Sequence, residues 1–285
     1  MREIFRFCLS ILFFLMVFST LYIGKTMKDL RNYKTTLPGH EIYNAIGKSK
    51  KKTDKKKLII GDSTGHQFFN NYFDEDSLYS LACNQAVGMC GHFFLLDDFL
   101  KSGNRPKSIY MIFNTFFLSN NLDQNFTYHY FLKPFYNDNY KERMSETVKN
   151  QIKKIPSYKI SQIPRIRTTK WAPKYYPCKE FYLLSPISNE YLLKIDSLRN
   201  IYGFDLYLIP SPVPKTKKKE IEDLVKQNFN EVDSRLRELL HRYVDGINYL
   251  DDSCFFDGTH LRNPLLYRNI IEDKMGNECY RMKVH

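Results

Sequence analysis

Short apolar runs alternate with longer amphipathic segments along most of the chain. Residues 58–63, 107–114 and 204–210 (LIIGDS, KSIYMIFN and FDLYLIP) have the length and composition of buried strands. Residues 92–103 and 188–203 carry apolar side chains at helical spacing, and each segment stops at a glycine. Strands separated by helices are typical of a parallel sheet with helices on both faces. The pattern therefore predicts a three-layer α/β/α fold.

The amino-terminal segment differs from the rest because its apolar run is not interrupted by charge. Phe7 to Ile23 contains no charged residue. The length of this run is near the lower limit for a helix that spans a bilayer. We predict one uncleaved membrane helix, held in the membrane through residues 5–23. A cleaved signal peptide is the alternative, but the sequence STLYIGKT is a poor cleavage site. Basic residues are more frequent after the span than before it, and this count favours a cytoplasmic body.

A lysine-rich stretch follows the predicted anchor. Residues 25–57 show no apolar periodicity and end in KSKKKTDKKK, so we predict a solvated linker between the anchor (1–24) and a globular domain (58–285). Contact with anionic lipid headgroups is an alternative role for the lysines. The formal net charge of +12 extends beyond this stretch and favours an anionic neighbour. No nucleic-acid-recognition motif accompanies the charge, so we expect no nucleic acid partner.

Two polar clusters, one near each end of the predicted domain, could form a nucleophilic site. Ser63 follows the first strand at a turn into a helix, while Asp257 and His260 lie on a loop after the last strand. The carboxyl ends of parallel strands share one edge of the sheet. A serine nucleophile needs a base, and the base needs an orienting acid. The combination predicts a triad of Ser63, His260 and Asp257; a serine that only caps the next helix is the alternative.

These two blocks resemble the signature of the SGNH, or GDSL-like, hydrolase superfamily, and the resemblance covers residues 56–275. It implies an acyl-serine mechanism with an oxyanion hole supplied by two further blocks. In NQAVGMCG the implied backbone donor is Gly88, with Gly91 as the second choice. In YMIFNTFF the implied side-chain donor is Asn114.

The block around Asn114 departs from the superfamily pattern Gly-x-Asn-Asp, because Ile112 and Thr115 stand where the glycine and the acid are usual. A non-catalytic SGNH-like scaffold that binds polymer or a partner is therefore an alternative to an enzyme. If the protein is an enzyme, hydrolysis and acyl transfer are both possible, because they share the acyl-serine intermediate and differ in the acceptor.

The anchor, the basic body and the altered third block resemble a membrane-bound branch of this superfamily. Its members include the D-alanyl transfer protein of teichoic acid modification and the alginate-type O-acetylation proteins. The resemblance implies an acyl donor, a cell-envelope polysaccharide as acceptor and a membrane-bound O-acyltransferase as partner. It also implies a single-pass protein of the cytoplasmic membrane with an extracytoplasmic catalytic domain, and this overrides the orientation favoured by the charge count.

An insertion at residues 119–180 follows the third block. It carries 12 Lys and Arg against 5 Asp and Glu, with many aromatic residues. Aromatic rings stack on sugars and cations pair with anionic groups, so Trp171, Arg165 and Arg167 are predicted to bind substrate. The alternative is a lid whose aromatic side chains pack against its own core.

Cysteines and histidines give no sign of a metal site. The six cysteines include no Cys-x-x-Cys pair and no zinc-ligand spacing. His66, His92 and His129 are scattered and are interpreted as packing or surface residues. We expect neither a metal nor another cofactor.

Overall fold

The computed structural model describes residues 2–35, 37–72, 75–83, 87–122, 128–155, 183–228 and 232–282. Within these residues, four parallel strands form a sheet in the order β2-β1-β3-β4. The strands are β1 (Lys57–Gly61), β2 (Leu78–Ser80), β3 (Ser108–Phe113) and β4 (Asp205–Pro210). A separate parallel pair consists of β5 (Val213–Pro214) and β6 (Tyr249–Leu250).

Helices connect and cover the strands. In chain order they are α1 (Arg2–Thr35), α2 (Leu37–Ser49), α3 (Ser63–Phe68), α4 (Gly88–Lys101), α5 (Thr115–Leu118), α6 (Lys133–Phe135), α7 (Asp138–Lys141), α8 (Glu146–Lys154), α9 (Pro186–Tyr202), α10 (Lys218–Asn228), α11 (Ser234–Asp245) and α12 (Arg268–Glu272). A π-helical turn covers Tyr128–Leu132, and short 3-10 turns include Pro264–Tyr267.

The two faces of the sheet have separate apolar cores. In β1, Leu58 and Ile60 face a large core that also receives buried residues of α4, α9 and α11, whereas Ile59 faces a smaller core beside α3 and α12. Alternate residues of a strand point to opposite faces, so one short apolar run supplies both cores. The α/β fold with a parallel sheet flanked by helices, predicted from the pattern, is confirmed.

The sequence at each end of helix α9 explains where the helix begins and ends. Ser185 caps the helix by accepting a hydrogen bond from the backbone N–H of Ser188 at 3.1 Å, and Pro186 occupies the first turn, where no backbone N–H is needed. Gly203 ends the helix in the left-handed region at φ 72°, a conformation that costs glycine little. The chain then enters β4 directly.

The apolar amino-terminal helix α1 is exposed along its predicted membrane segment. Residues Arg2–Lys25 are long and apolar enough to cross a bilayer by length and composition, and none of this stretch is buried against the body. A signal sequence passes the same test.

Part of the predicted linker packs into the body. Ile42 and Ala45 of α2 are fully buried in the large core. The Asn44 side-chain amide donates hydrogen bonds to the backbone oxygen and the Oδ1 atom of Asn71, at 2.6 and 3.1 Å. The globular body therefore begins near residue 41 and not at residue 58. The sequence does not reveal this, because α2 has few apolar residues and the lysine run follows it directly.

The described part of the insertion also packs against the large core. Residues 128–155 bury the apolar side chains Phe131, Leu132, Phe135, Tyr140, Met144, Val148 and Ile152. Arg143 pairs with both Asp97 and Asp98 of α4, at 2.8 Å from Asp98 Oδ1. This part of the insertion packs into the core of the body and does not form a core of its own.

Candidate active site

The turn after β1 is built around a buried carboxylate. Asp62 caps α3: its Oδ1 atom accepts hydrogen bonds from the Thr64 N–H at 2.8 Å, the Thr64 hydroxyl at 2.6 Å and the Gly65 N–H at 3.2 Å. Ser63 is the first residue of the helix, at the carboxyl end of the strand. The cap is therefore Asp62, and the hydroxyl of Ser63 is left for another partner.

Two glycines of this turn allow the third strand to approach. A Cβ atom on Gly61 would stand 2.6 Å from the Ile112 carbonyl oxygen, and one on Gly65 would stand 2.7 Å from it. The Asp62 N–H donates to the same oxygen at 3.3 Å. The backbone oxygen of Ile112 therefore contacts this turn, while the Ile112 side chain is buried in the smaller core.

The loop before α12 holds a second carboxylate beside a histidine. Asp257 Oδ2 lies 2.7 Å from His260 Nδ1, and Asp257 Oδ1 accepts hydrogen bonds from the backbone N–H groups of Thr259 at 3.0 Å and His260 at 2.8 Å. Gly258 adopts φ +76°, which lets the loop turn tightly between the acid and the base. The loop therefore fixes the histidine ring through contacts made within four residues.

The charge state of Asp257 suits this arrangement. Partial burial acts to raise its pKa, but the hydrogen bonds from the His260 backbone and ring and from the Thr259 N–H outweigh burial and lower the pKa below its ordinary value. An ionised Asp257 accepts a hydrogen bond from Nδ1–H of His260. In the neutral imidazole with its proton on Nδ1, the other ring nitrogen, Nε2, is the acceptor.

The two loops meet at Ser63 and His260. His260 Nε2 lies 2.8 Å from Ser63 Oγ, which is hydrogen-bond distance. The Phe256 ring stacks on the imidazole at a centroid distance of 5.5 Å and an interplanar angle of 18°. The structure thus brings Ser63, His260 and Asp257, three residues from opposite ends of the domain, into one continuous chain of hydrogen bonds.

Asn114 stands at the end of β3, one strand away from Ser63. Its backbone N–H donates to Asp62 Oδ2 at 2.9 Å, and its Oδ1 atom caps α5 by accepting from the Phe116 N–H at 3.0 Å. Because the oxygen is bound to the helix, the amide nitrogen faces another direction. Asn114 also lines a pocket of about 250 Å³, together with Phe116, Ser119, Asn120, Lys217, Glu220, Gly258 and Thr259.

Asp62 itself is fully buried, and its contacts are all with neutral donors: three around Oδ1 and one at Oδ2. Burial raises its pKa, and these four hydrogen bonds act in the opposite direction. A buried carboxylate with this many backbone donors ties the serine turn to the end of β3. The sequence indicates a turn at Gly-Asp-Ser, but the contact of Asp62 with Asn114 is seen only in the structure.

The glycines proposed for the oxyanion hole have different surroundings. Gly88 opens α4 with φ +70°, and a Cβ atom there would meet Leu122 at 3.6 Å. Residues 84–86, which precede it, lie outside the described residues, so its role as a donor to the site stays a prediction. Gly91 lies inside α4, where a Cβ atom would overlap the Val87 side chain at 2.0 Å. Close packing accounts for that glycine.

The predicted substrate-binding residues Trp171, Arg165 and Arg167 lie outside the described residues. Among the residues that the structure describes, no group of three His, Cys, Asp or Glu side chains could hold a metal ion. His92 is fully buried against the rings of Phe113 and Phe117, and burial lowers its pKa to about 3. It is therefore neutral and packs as an apolar side chain would.

Comparison with known proteins adds little to this geometry. No family model matches the sequence, and no curated protein matches it. A solved structure from Streptococcus pneumonia, provisionally described as a platelet activating factor, is 11% identical over 93% of this chain and 99% of that chain, with a TM-score of 0.35. A likeness at that level carries no argument, so fold and site rest on the contacts described above.

Proposed function

We propose that this protein is a serine-dependent acyl-transfer or ester-hydrolysis enzyme, with Ser63 as nucleophile, His260 as base and Asp257 as the orienting acid. The observation that carries the proposal is the position of the His260 ring, 2.8 Å from Ser63 Oγ and 2.7 Å from Asp257 Oδ2. A nucleophile, a base and an orienting group in this order are the parts that acyl transfer through serine requires.

The proposed reaction has two steps, acylation of Ser63 and then deacylation. His260 Nε2 takes the hydroxyl proton as Ser63 Oγ bonds to the carbonyl carbon of an ester or thioester; the bond to the alcohol or thiol then breaks, and the leaving group receives that proton. In the second step an acceptor hydroxyl gives its proton to His260 and attacks the acyl carbon; the bond to Ser63 Oγ then breaks, and His260 returns the proton to Oγ. Water as acceptor gives hydrolysis, and a sugar hydroxyl gives transfer.

Negative charge develops on the carbonyl oxygen in both steps. The amide nitrogen of Asn114 is the side-chain donor in this proposal, because its oxygen is bound to α5 and its pocket also includes Gly258 and Thr259 of the histidine loop. The backbone N–H groups of Ser63 and Gly88 complete the oxyanion hole in the proposal.

The substrate and setting are inferred from the sequence resemblance. We infer a cell-envelope polysaccharide as acceptor, with Trp171, Arg165 and Arg167 contacting it, and a membrane-bound O-acyltransferase as partner that presents the acyl donor. The pocket beside Asn114 is compatible with a hydroxylated acceptor, since it combines amide, hydroxyl and charged groups with the Phe116 ring.

The covalent route is tested with a fluorophosphonate probe on the full chain in detergent. Attack by Ser63 forms an Oγ–P bond and expels fluoride, while the proton passes to His260. Wild-type protein is expected to label at Ser63, and Ser63→Ala and His260→Ala are expected to abolish labelling. A wild-type chain that does not label, or a Ser63→Ala chain that labels as wild type, would overturn the enzyme proposal and favour the non-catalytic scaffold.

The proposed orientation is tested separately. With α1 as a membrane anchor and the body outside the cytoplasmic membrane, protease added to intact spheroplasts is expected to digest the body. Protection of the body until detergent is added would reverse the orientation and would remove an envelope polysaccharide as the acceptor.

A further inference from the structure

Gln67 of α3 and Leu261 of the histidine loop bind each other through two reciprocal hydrogen bonds. The Gln67 Nε2 group donates to the Leu261 carbonyl oxygen at 3.2 Å, and the Leu261 N–H donates to Gln67 Oε1 at 3.1 Å. One side-chain amide thus satisfies both backbone groups of one residue. The two residues are 194 positions apart in the chain, so the contact is purely tertiary.

The position of this pair links it to the candidate triad. Gln67 lies four residues after Ser63 on the same helix, so both side chains project from one helical face. Leu261 directly follows His260 and is buried in the smaller core. The pair therefore joins the element that carries the nucleophile to the element that carries the base.

Phe68 of α3 and Leu261 also share the smaller core, but the other hydrogen bonds of the histidine loop among the described residues lie within the loop. Asp257 and Phe256 fix the ring of His260 from within the loop, and the Arg262 N–H donates to the Cys254 oxygen in the same segment. Apart from the Ser63–His260 contact, the hydrogen bonds between α3 and this loop in the described part of the chain are the two of Gln67. Internal contacts hold the shape of the loop, and the two hydrogen bonds of Gln67, together with the smaller core, join the loop to α3.

We propose that Gln67 is a positioning residue that holds the His260 loop within reacting distance of Ser63; this role rests on the proposed acyl-serine function. Only an amide of this length offers a donor and an acceptor together to the N–H and C=O of Leu261. Glutamate keeps the acceptor but offers a donor only when protonated. Methionine keeps the length and loses both hydrogen bonds.

The main test compares Gln67→Met with wild type in the full chain, using the rate of fluorophosphonate labelling as a function of probe concentration. A base displaced by a fraction of an ångström loses much of its effect, so the maximal labelling rate should fall about 10-fold to 100-fold. The probe concentration at half-maximal rate should change little, because Gln67 does not contact the probe. Gln151→Met in α8, which packs against the core on the other face of the sheet, is the matched control and should label at the wild-type rate.

Gln67→Glu adds a readout that a purely structural role would not move. At low pH its protonated carboxyl can donate to the Leu261 oxygen and restore the pair; once ionised, it places a carboxylate oxygen against that carbonyl. The labelling rate of Gln67→Glu relative to wild type should therefore fall as pH rises from about 5 to about 7, near the range in which a partly buried glutamate ionises. The same ratio for Gln67→Met should stay flat.

The outcomes separate the two proposals. If wild-type Ser63 labels but Gln67→Met labels equally fast, the positioning role is overturned and the acyl-serine function stands. If wild-type Ser63 does not label, the acyl-serine function fails and the positioning role fails with it. If Gln67→Met does not fold, Gln67→Glu decides: a pH-independent ratio overturns the role, and a ratio that falls with pH supports it.

Discussion

The backbone N–H of Asn114 donates a hydrogen bond to the Oδ2 atom of Asp62 at 2.9 Å. This contact spans the ends of two neighbouring strands, because Asp62 follows β1 and Asn114 follows β3. The other carboxylate oxygen of Asp62 holds the first turn of α3, which begins with Ser63. One buried side chain therefore fixes the proposed nucleophile relative to the proposed oxyanion donor.

Replacing Asp62 by alanine is expected to destabilise the protein strongly. It would leave four buried donors, on Thr64, Gly65 and Asn114, without an acceptor, and an unsatisfied buried donor costs roughly 1–3 kcal/mol. Because the four donors relax together, we expect a loss of roughly 3–5 kcal/mol in the free energy of unfolding, measured by urea denaturation of the full chain in detergent. Asp138→Ala removes an almost fully exposed carboxylate and should change this free energy by less than about 0.5 kcal/mol. Equal stability of Asp62→Ala and Asp138→Ala would show that Asp62 does not organise the turn.

Ile42 provides a test of the finding that the body begins before β1. Its side chain is 1% exposed within the large core, and truncating such an isoleucine to alanine costs about 2–4 kcal/mol. Ile42→Ala should lower the free energy of unfolding of the body by that amount. Ile4→Ala in α1, at a side chain 68% exposed, should leave the unfolding of the body unchanged. A solvated linker at residue 42 would instead make the two variants indistinguishable.

The strands and two of the candidate site residues are predicted for the same physical reason. β1, β3 and β4 are continuous apolar runs because both of their faces are buried, and Ser63 and Asn114 stand where polar residues end two of those runs. Asp257 and His260 lie beyond β6 and are predicted from the need of a serine nucleophile for a base and an orienting acid.

Gln67 binds the backbone of Leu261, and Asp62, besides capping its own helix, binds the backbone N–H of Asn114. Both partners are distant in the chain, and nothing in the local sequence reveals them. The role of Ile112 is likewise seen only in the structure, because its backbone oxygen lies against the serine turn while its side chain is buried in the smaller core.

We expect the stability of the protein to depend on pH because of the buried side chain of Lys274. Its ammonium is buried and donates to the carbonyl oxygens of Gly246 at 2.8 Å and Pro210 at 3.4 Å, and burial lowers its pKa from 10.5 to about 8. A neutral amine still has a proton for each carbonyl, so deprotonation removes the charge without breaking the contacts. Between about pH 8 and pH 10.5 the unfolded chain binds more protons than the folded one, so stability from this group rises with pH.

The measurement is the free energy of unfolding of wild type minus that of Lys274→Met at several pH values. The difference should increase by roughly 2 kcal/mol between about pH 7.5 and about pH 10, since one unit of pKa shift corresponds to about 1.4 kcal/mol. Subtracting the variant removes the contribution of tyrosines that titrate in the same range. A difference that stays constant with pH would mean that the folded protein keeps Lys274 charged.

Asn114→Asp separates the two functions of the Asn114 side chain. The aspartate keeps an oxygen to cap α5 at the Phe116 N–H, a role for which aspartate is as good as asparagine, but it replaces the amide donor by a second oxygen. The new carboxylate is buried beside Asp62, so the thermal midpoint should fall, and labelling is compared at a temperature at which the variant is folded. Under those conditions the fluorophosphonate labelling rate at Ser63 should fall about 10²–10³-fold, the usual effect of losing one oxyanion donor. Asn114→Ala should lose both the cap and the donor, so it should label slowly and also unfold at a lower temperature. Labelling of Asn114→Asp at the wild-type rate would leave Asn114 with a capping role alone and would assign the oxyanion to backbone donors, because a carboxylate in that position could only repel the developing charge.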